Sequence, residues 1–149
     1  NPPDQVGVFD LPESQIDRFS LCIDMDILNS EDYLKILNEE RMDTAILNTS
    51  YTKVSKSLKK VHFDHELQVF LLKILDEIEK VSGKYLAIRP RVQLQNLAKV
   101  YAALKSRTFV VPEDILALLL SSMRHRFHEM SKQEIEGMIL ESVSSIKLP

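Results

Sequence analysis

Two arginine-bearing stretches hold the residues best suited to chemistry. In Leu11-Pro12-Glu13-Ser14-Gln15-Ile16-Asp17-Arg18-Phe19, Arg18 follows a short helical turn that Pro12 and Glu13 favour. A guanidinium there can stabilise the charge that phosphoryl transfer spreads over equatorial oxygens, or it can simply pair with Asp17 or Glu13. Spacing alone leaves both readings open. In Arg89-Pro90-Arg91, the proline suits the first position of a helix, so Arg91 falls in a first turn. A cation there opposes the helix dipole at a cost of about 0.3–1 kcal/mol, a penalty that a bound phosphate reverses. The other reading is that Arg89 and Arg91 extend into water.

Other chemistries find less support. His62/His65 and His125/His128 each share a three-residue offset, but no carboxylate or cysteine completes a recognisable metal pattern, and no metal site is expected. His125, between Arg124 and Arg126, fits the negative end of a helix. No Ser-His-Asp order or nucleophile elbow is present. With only Gly7, Gly83 and Gly137, the chain cannot contain the G-x-x-x-x-G-K-[ST] phosphate loop.

At 149 residues, 44% hydrophobic and 28% charged, the chain has the makeup of one ordinary globular domain or slightly more. A net charge of −3 gives no global field toward nucleic acid or anionic membrane, so neither is an expected partner. Cys22 is the sole cysteine, which rules out an intramolecular disulfide framework and fits a reducing cytoplasm. No apolar run reaches the length of a membrane-spanning helix.

The elements that must position the arginines are mostly helical. Residues 1–10 have loop composition. Ser20 to Ile27 alternates, with apolar side chains at 21, 23, 25 and 27, and predicts a half-buried strand whose partners must lie elsewhere. A short helix is expected from Ser30, a connector over 41–49, and a further helix from Ser50 in which Val54, Leu58 and Val61 share a face. Lys53, Lys56, Lys59 and Lys60 lie on its other faces, as solubilising charge. From Asp64, apolar residues at 67, 70, 71, 74, 75, 78 and 81 mark a long helix stopped by Gly83. Three more helices are predicted: from Pro90, with Leu94, Leu97, Ala98, Tyr101 and Leu104 inward; from Pro112, with Ile115, Leu118, Leu119 and Met123; and from the capping box Ser131/Glu134.

Asn1-Pro2, then Gly7-Val8-Phe9-Asp10 and LPESQIDRF, resembles the end of the ATPase core in MoxR-type AAA+ proteins. The likeness continues through Arg89-Pro90-Arg91, Leu97 to Leu104, Ser106 to Ile115 and His125-Arg126, which look like the family's lid in order and spacing. Ala87, Arg89, Ser106 and Glu79-Lys80 depart from its usual glycine, serine, glycine and Thr-Arg, marking a divergent member.

The resemblance implies a mainly α chain, a helical-bundle lid preceded by the last strand and arginine-finger segment of an α/β core. Residues 1–28 would then end the core and 29–149 form the lid. It implies Asn1 as sensor 1, Arg18 as the arginine finger and Arg91 as sensor 2. Asn1 could meet a ligand only if an upstream sheet holds it; otherwise it is a turn residue. ATP and Mg2+ would be bound mainly by that upstream core, leaving this chain inactive by itself. Expected partners are the core, identical neighbours in a ring, and a von Willebrand factor A domain protein. The implied role is chaperone-like remodelling or metal insertion driven by ATP hydrolysis. A magnesium-chelatase-type ATPase subunit is the near alternative. A non-catalytic helical interaction module, or a nucleic-acid binder using Lys53 to Lys60, are alternatives from other classes.

Overall fold

The computed structural model describes residues 11–23, 29–38 and 58–149. Six α-helices occur among them: α1 (Glu13–Ile16), α2 (Ser30–Leu37), α3 (His65–Ser82), α4 (Ile88–Leu104), α5 (Pro112–Met123) and α6 (Lys132–Ser144). A 3-10 turn, Arg124–Phe127, joins α5 to the α6 cap.

Helix α3, with 18 residues, is the longest of the described helices. Asp64 caps it by accepting from the Glu66 N–H at 2.9 Å, and its apolar residues recur every three or four positions. Leu67, Phe70, Leu71, Ile74, Leu75 and Ile78 are consequently buried, and each such side chain contributes about 1.5–3 kcal/mol. Val81, at the end of the predicted stripe, is exposed. Gly83 stops the helix at φ +67°, a left-handed conformation that glycine adopts without a Cβ penalty. Helix α3 packs on α4 and α6, and α4 packs on α5; Ala98 and Ala102 of α4 are fully buried.

Pro90 lies inside the first turn of α4, which begins two residues earlier at Ile88. The turn after α4 closes as a paired motif: Ser106 N–H donates to Ala103 O and Arg107 N–H to Ala102 O, both at 2.9 Å. This places Ser106 at φ +58°, in the left-handed region. The Arg107 guanidinium then forks onto the buried Asp114 carboxylate, one bond at 2.8 Å, while Asp114 also accepts from the Val111 N–H at 3.0 Å. Loop and α5 start are thereby fixed together. A parallel bridge between His62 and Phe109 ties the approach to α3 onto the same loop.

At the other end, Ser131 and Glu134 form the predicted capping box of α6. Helix α2 starts as expected, but its cap is Asn29, which accepts from the Asp32 N–H at 2.9 Å, and none of its residues is buried.

The predicted strand over 20–27 is not seen where it can be followed. Ser20 to Ile23 pair in no ladder among the described residues; Cys22 N–H donates instead to Ser121 O at 2.7 Å, on the end of α5. This gives the Cys22 N–H an acceptor within the chain. Residues 24–27, Asn1, the 41–49 connector, Lys53 and Lys56 lie outside the described residues.

Candidate functional site

The segment around Arg18 is held onto the helical unit at successive carbonyls. Helix α1 and its following turn close locally: Gln15 and Ile16 donate to Pro12 O, Asp17 to Glu13 O, Arg18 to Gln15 O and Phe19 to Ile16 O. The outward-facing oxygens are then bound from beyond. Asp17 O and Phe19 O accept from the Arg126 guanidinium at 3.3 and 3.2 Å, and Arg18 O accepts from Gln93 Nε2 at 3.2 Å. The Asp17 carboxylate accepts from Arg126 Nε at 3.0 Å and from Arg89 at 3.3 Å. Lys84 bonds to Glu13 at 2.7 Å and to Arg126 O at 3.0 Å, closing the far side.

The two acids that the sequence offered as partners of Arg18 are engaged elsewhere. Glu13 pairs with Lys84, and Asp17 pairs with Arg126 and Arg89; among the described residues neither pairs with Arg18, whose side chain is exposed. Its backbone is fixed while its guanidinium faces outward. Sequence reasoning missed the residue responsible. Arg126 looked like one of three cations at a helix end, yet its side chain is 4% exposed and its donors also reach Ser122 O and Gln93 Oε1. Burial pushes its pKa down against the pull of Asp17, although a guanidinium remains charged.

His125 also turns toward this segment. Its Nε2 lies 2.9 Å from Phe19 O, which makes it the N–H donor, while the ring also lies against the Ser121 backbone at the end of α5. Burial, then the neighbouring Arg126 charge, pushes its pKa below the usual histidine value.

Arg91 neither extends into water nor stands free for an anion. It donates to Asp76 at 2.8 Å, to Glu79 at 3.0 Å, and to the carbonyls of Leu86 and Ala87. Glu79 in turn accepts from the Leu86 N–H. The two acids come from α3, so the pattern pins the α3–α4 loop across the start of α4. Asp76 and Glu79 lie on one α3 face by their three-residue spacing, but nothing local indicated that Arg91 would meet them.

A cavity of about 110 Å3 opens between α1, the α3–α4 loop and the 3-10 turn, with Ile16, Lys84, Leu86, Pro90, His125 and Arg126 in its wall. Among the described residues no group of three or more His, Cys, Asp or Glu could hold a metal ion, and no helix is long and apolar enough to cross a membrane.

The arrangement of α4, α5 and α6 beside α3 is one that known proteins share. Residues 85–145 match the family model described as an AAA lid domain, and the mainly helical fold is consistent with it. Across its full length the chain is 26% identical to the uncharacterized protein YeaC of Bacillus subtilis, and it covers 51% of that protein. It is 30% identical to the chloroplastic magnesium-chelatase subunit ChlI of Nicotiana tabacum over 94 residues, which are 63% of this chain and 21% of that protein. The crystal structure of a "putative ATPase" from Cytophaga hutchinsonii superposes with a TM-score of 0.70 at 21% identity, over all of this chain and 52% of that one, a likeness of fold. The chain thus spans about half the length of YeaC and of the superposed structure, and a fifth of ChlI.

AAA+ proteins use ATP and magnesium. Among the described residues there is no glycine-rich loop, and Arg91 bonds to two acids, Asp76 and Glu79. Arg18, by contrast, has its side chain exposed.

Proposed function

We propose that the chain is the C-terminal part of a MoxR-like AAA+ ATPase, with residues 1–28 ending the nucleotide-binding core and 29–149 forming the lid. In this reading Arg18 is an arginine finger that reaches nucleotide on the neighbouring subunit of a ring, and Asn1 is sensor 1 beside the chain's own nucleotide. The carrying observation is the exposed Arg18 side chain on a backbone whose three carbonyls, 17 to 19, are all bound by lid residues. A cation on a fixed backbone and out of local pairs is suited to stabilising charge that develops on a phosphoryl group, an effect worth about 10³–10⁵ in rate.

Arg91 enters this reading as sensor 2 in a form that must exchange partners. To reach a phosphate it has to leave Asp76, the more exposed of its two acids, while Glu79 keeps the α3–α4 loop in place. Hydrolysis would drive chaperone-like remodelling or metal insertion, with a von Willebrand factor A domain protein as a partner, in the cytoplasm.

The 30% identity to ChlI over 94 residues supports a second reading, an ATPase subunit of a magnesium-chelatase-type assembly. Both readings require magnesium-dependent ATP hydrolysis by the full-length protein in an oligomer. Steady-state turnover with and without magnesium, alongside light scattering to measure assembly, tests that shared requirement; a monomer without turnover contradicts both. Activity in a magnesium-chelation assay with chelatase partner subunits separates the second from the first.

A further inference from the structure

We propose that Arg126, though it touches no nucleotide, is a positioning residue for Arg18: it transmits the orientation of the lid to the exposed guanidinium. The inference rests on the finger reading of Arg18. Its basis is the distribution of Arg126's donors. Nε and one terminal nitrogen go to the Asp17 carboxylate, Asp17 O and Phe19 O, which flank Arg18 on both sides. The same terminal nitrogen reaches Gln93 Oε1, and Gln93 Nε2 binds the carbonyl of Arg18 itself. The remaining terminal nitrogen anchors on Ser122 O, one turn back in α5.

A buried guanidinium is a costly way to stabilise a fold, since an apolar side chain of similar volume often does as well or better. Here its hydrogen bonds converge on one exposed turn instead of the apolar core, and the turn's only long cation, Arg18, is left unpaired among the described residues. Because residues 17 to 19 are fixed to α4 and the 3-10 turn, any rotation of the lid carries Arg18 with it. Displacement of a catalytic group by about 1 Å can cost about a hundredfold in rate.

The test is a double-variant cycle in the full-length protein, read by single-turnover ATP hydrolysis, nucleotide affinity and amide exchange. Arg126→Lys keeps the charge but replaces the planar fork by a point donor. It should lower hydrolysis about a hundredfold and leave nucleotide affinity within about twofold. Amide exchange should accelerate at Phe19 and Cys22 while the α3 amides stay protected. In an Arg18→Ala background, Arg126→Lys should produce no further loss, because both substitutions remove one unit. Should Arg126→Lys fail to fold, Gln93→Ala serves in the same cycle with a smaller loss in the same direction. Equal losses in both backgrounds would show Arg126 to be a structural residue and overturn the proposal. So would unchanged hydrolysis in Arg126→Lys and Gln93→Ala when Arg18→Ala is impaired. Unchanged hydrolysis in Arg18→Ala is a different failure: the finger reading falls, and the proposal with it.

Discussion

Asp17 and Arg126 stand 109 residues apart in the chain and meet with 3.0 Å between carboxylate oxygen and guanidinium Nε. Only 4% of the Arg126 side chain is exposed, so its positive charge depends on this partner and on the carbonyls around it.

Removing the carboxylate should therefore cost stability although Asp17 itself is partly exposed. Asp17→Ala leaves Arg126 buried with its carbonyl partners alone, and a loss of about 1–3 kcal/mol in urea denaturation is expected. An unchanged midpoint would mean that the segment around Arg18 is not held by this pair.

The same segment should respond to mild acid through His125. Its folded pKa lies below the unfolded value of about 6.5, so the ring's contribution is fully present above pH 6.5. It is lost progressively as pH falls from there through the folded value, where the unfolded state binds the extra proton. The charges around the ring are Arg126 and Asp17, with Lys84, Glu13 and His128 along the adjoining cavity. Amide protection of Cys22, which donates to Ser121 O, should fall as pH is lowered from 7 toward 5. In His125→Gln, which retains a donor near the Nε2 position without titrating, that protection should stay level. A wild-type profile as flat as the variant's would contradict the assignment.

Asp114 predicts a separate acid response. Burial raises its pKa, but the Arg107 fork and the Val111 N–H outweigh burial and hold it below the usual carboxylate range. A depressed folded pKa contributes stability above the unfolded value of about 3.9 and loses it as pH falls through the folded value. Asp114→Asn should flatten the stability profile below about pH 4, and Asp114→Ala should cost about 3 kcal/mol at neutral pH by stranding Arg107 and the Val111 N–H. Urea midpoints across the pH series measure both.

At Ser106 a substitution should stabilise. A side chain at φ +58° costs about 1–2 kcal/mol relative to glycine, which returns about 0.5–1 kcal/mol in unfolded-state entropy. Ser106→Gly should then raise stability by about 0.5–1 kcal/mol, visible as a higher urea midpoint. A lower midpoint would show that the serine is doing something other than closing the turn after α4.

What the sequence disclosed was what a local period or cap can encode. Asp64, Gly83, Pro112 and the Ser131/Glu134 box bound helices at the expected places, and the α3 stripe predicted its buried face up to Ile78. The alternation over 20–27 was read as a strand because alternation identifies a half-buried extended segment but not its partner; in the structure Cys22 finds a helix carbonyl. Arg91 looked unopposed in its first turn because Asp76 and Glu79 approach from another helix. Arg126 hid for the same reason. A cation near a helix end looks the same in sequence whether it serves the helix dipole or a turn 109 residues away. Arg18 was the reverse case, since its segment was legible as a motif while the engagement of Glu13 and Asp17 elsewhere could be learned only from the fold.

Mixing subunits of the full-length protein tests most directly whether Arg18 acts across an interface. One set carries Arg18→Ala with an intact phosphate loop, the other an intact Arg18 with a disabled phosphate loop; each alone should bind its partners yet hydrolyse little ATP. Combined and allowed to exchange, they should recover activity, because an intact finger then faces an intact nucleotide site at mixed interfaces. If both assemble and exchange subunits but the mixture remains as inactive as its components, Arg18 does not act in trans.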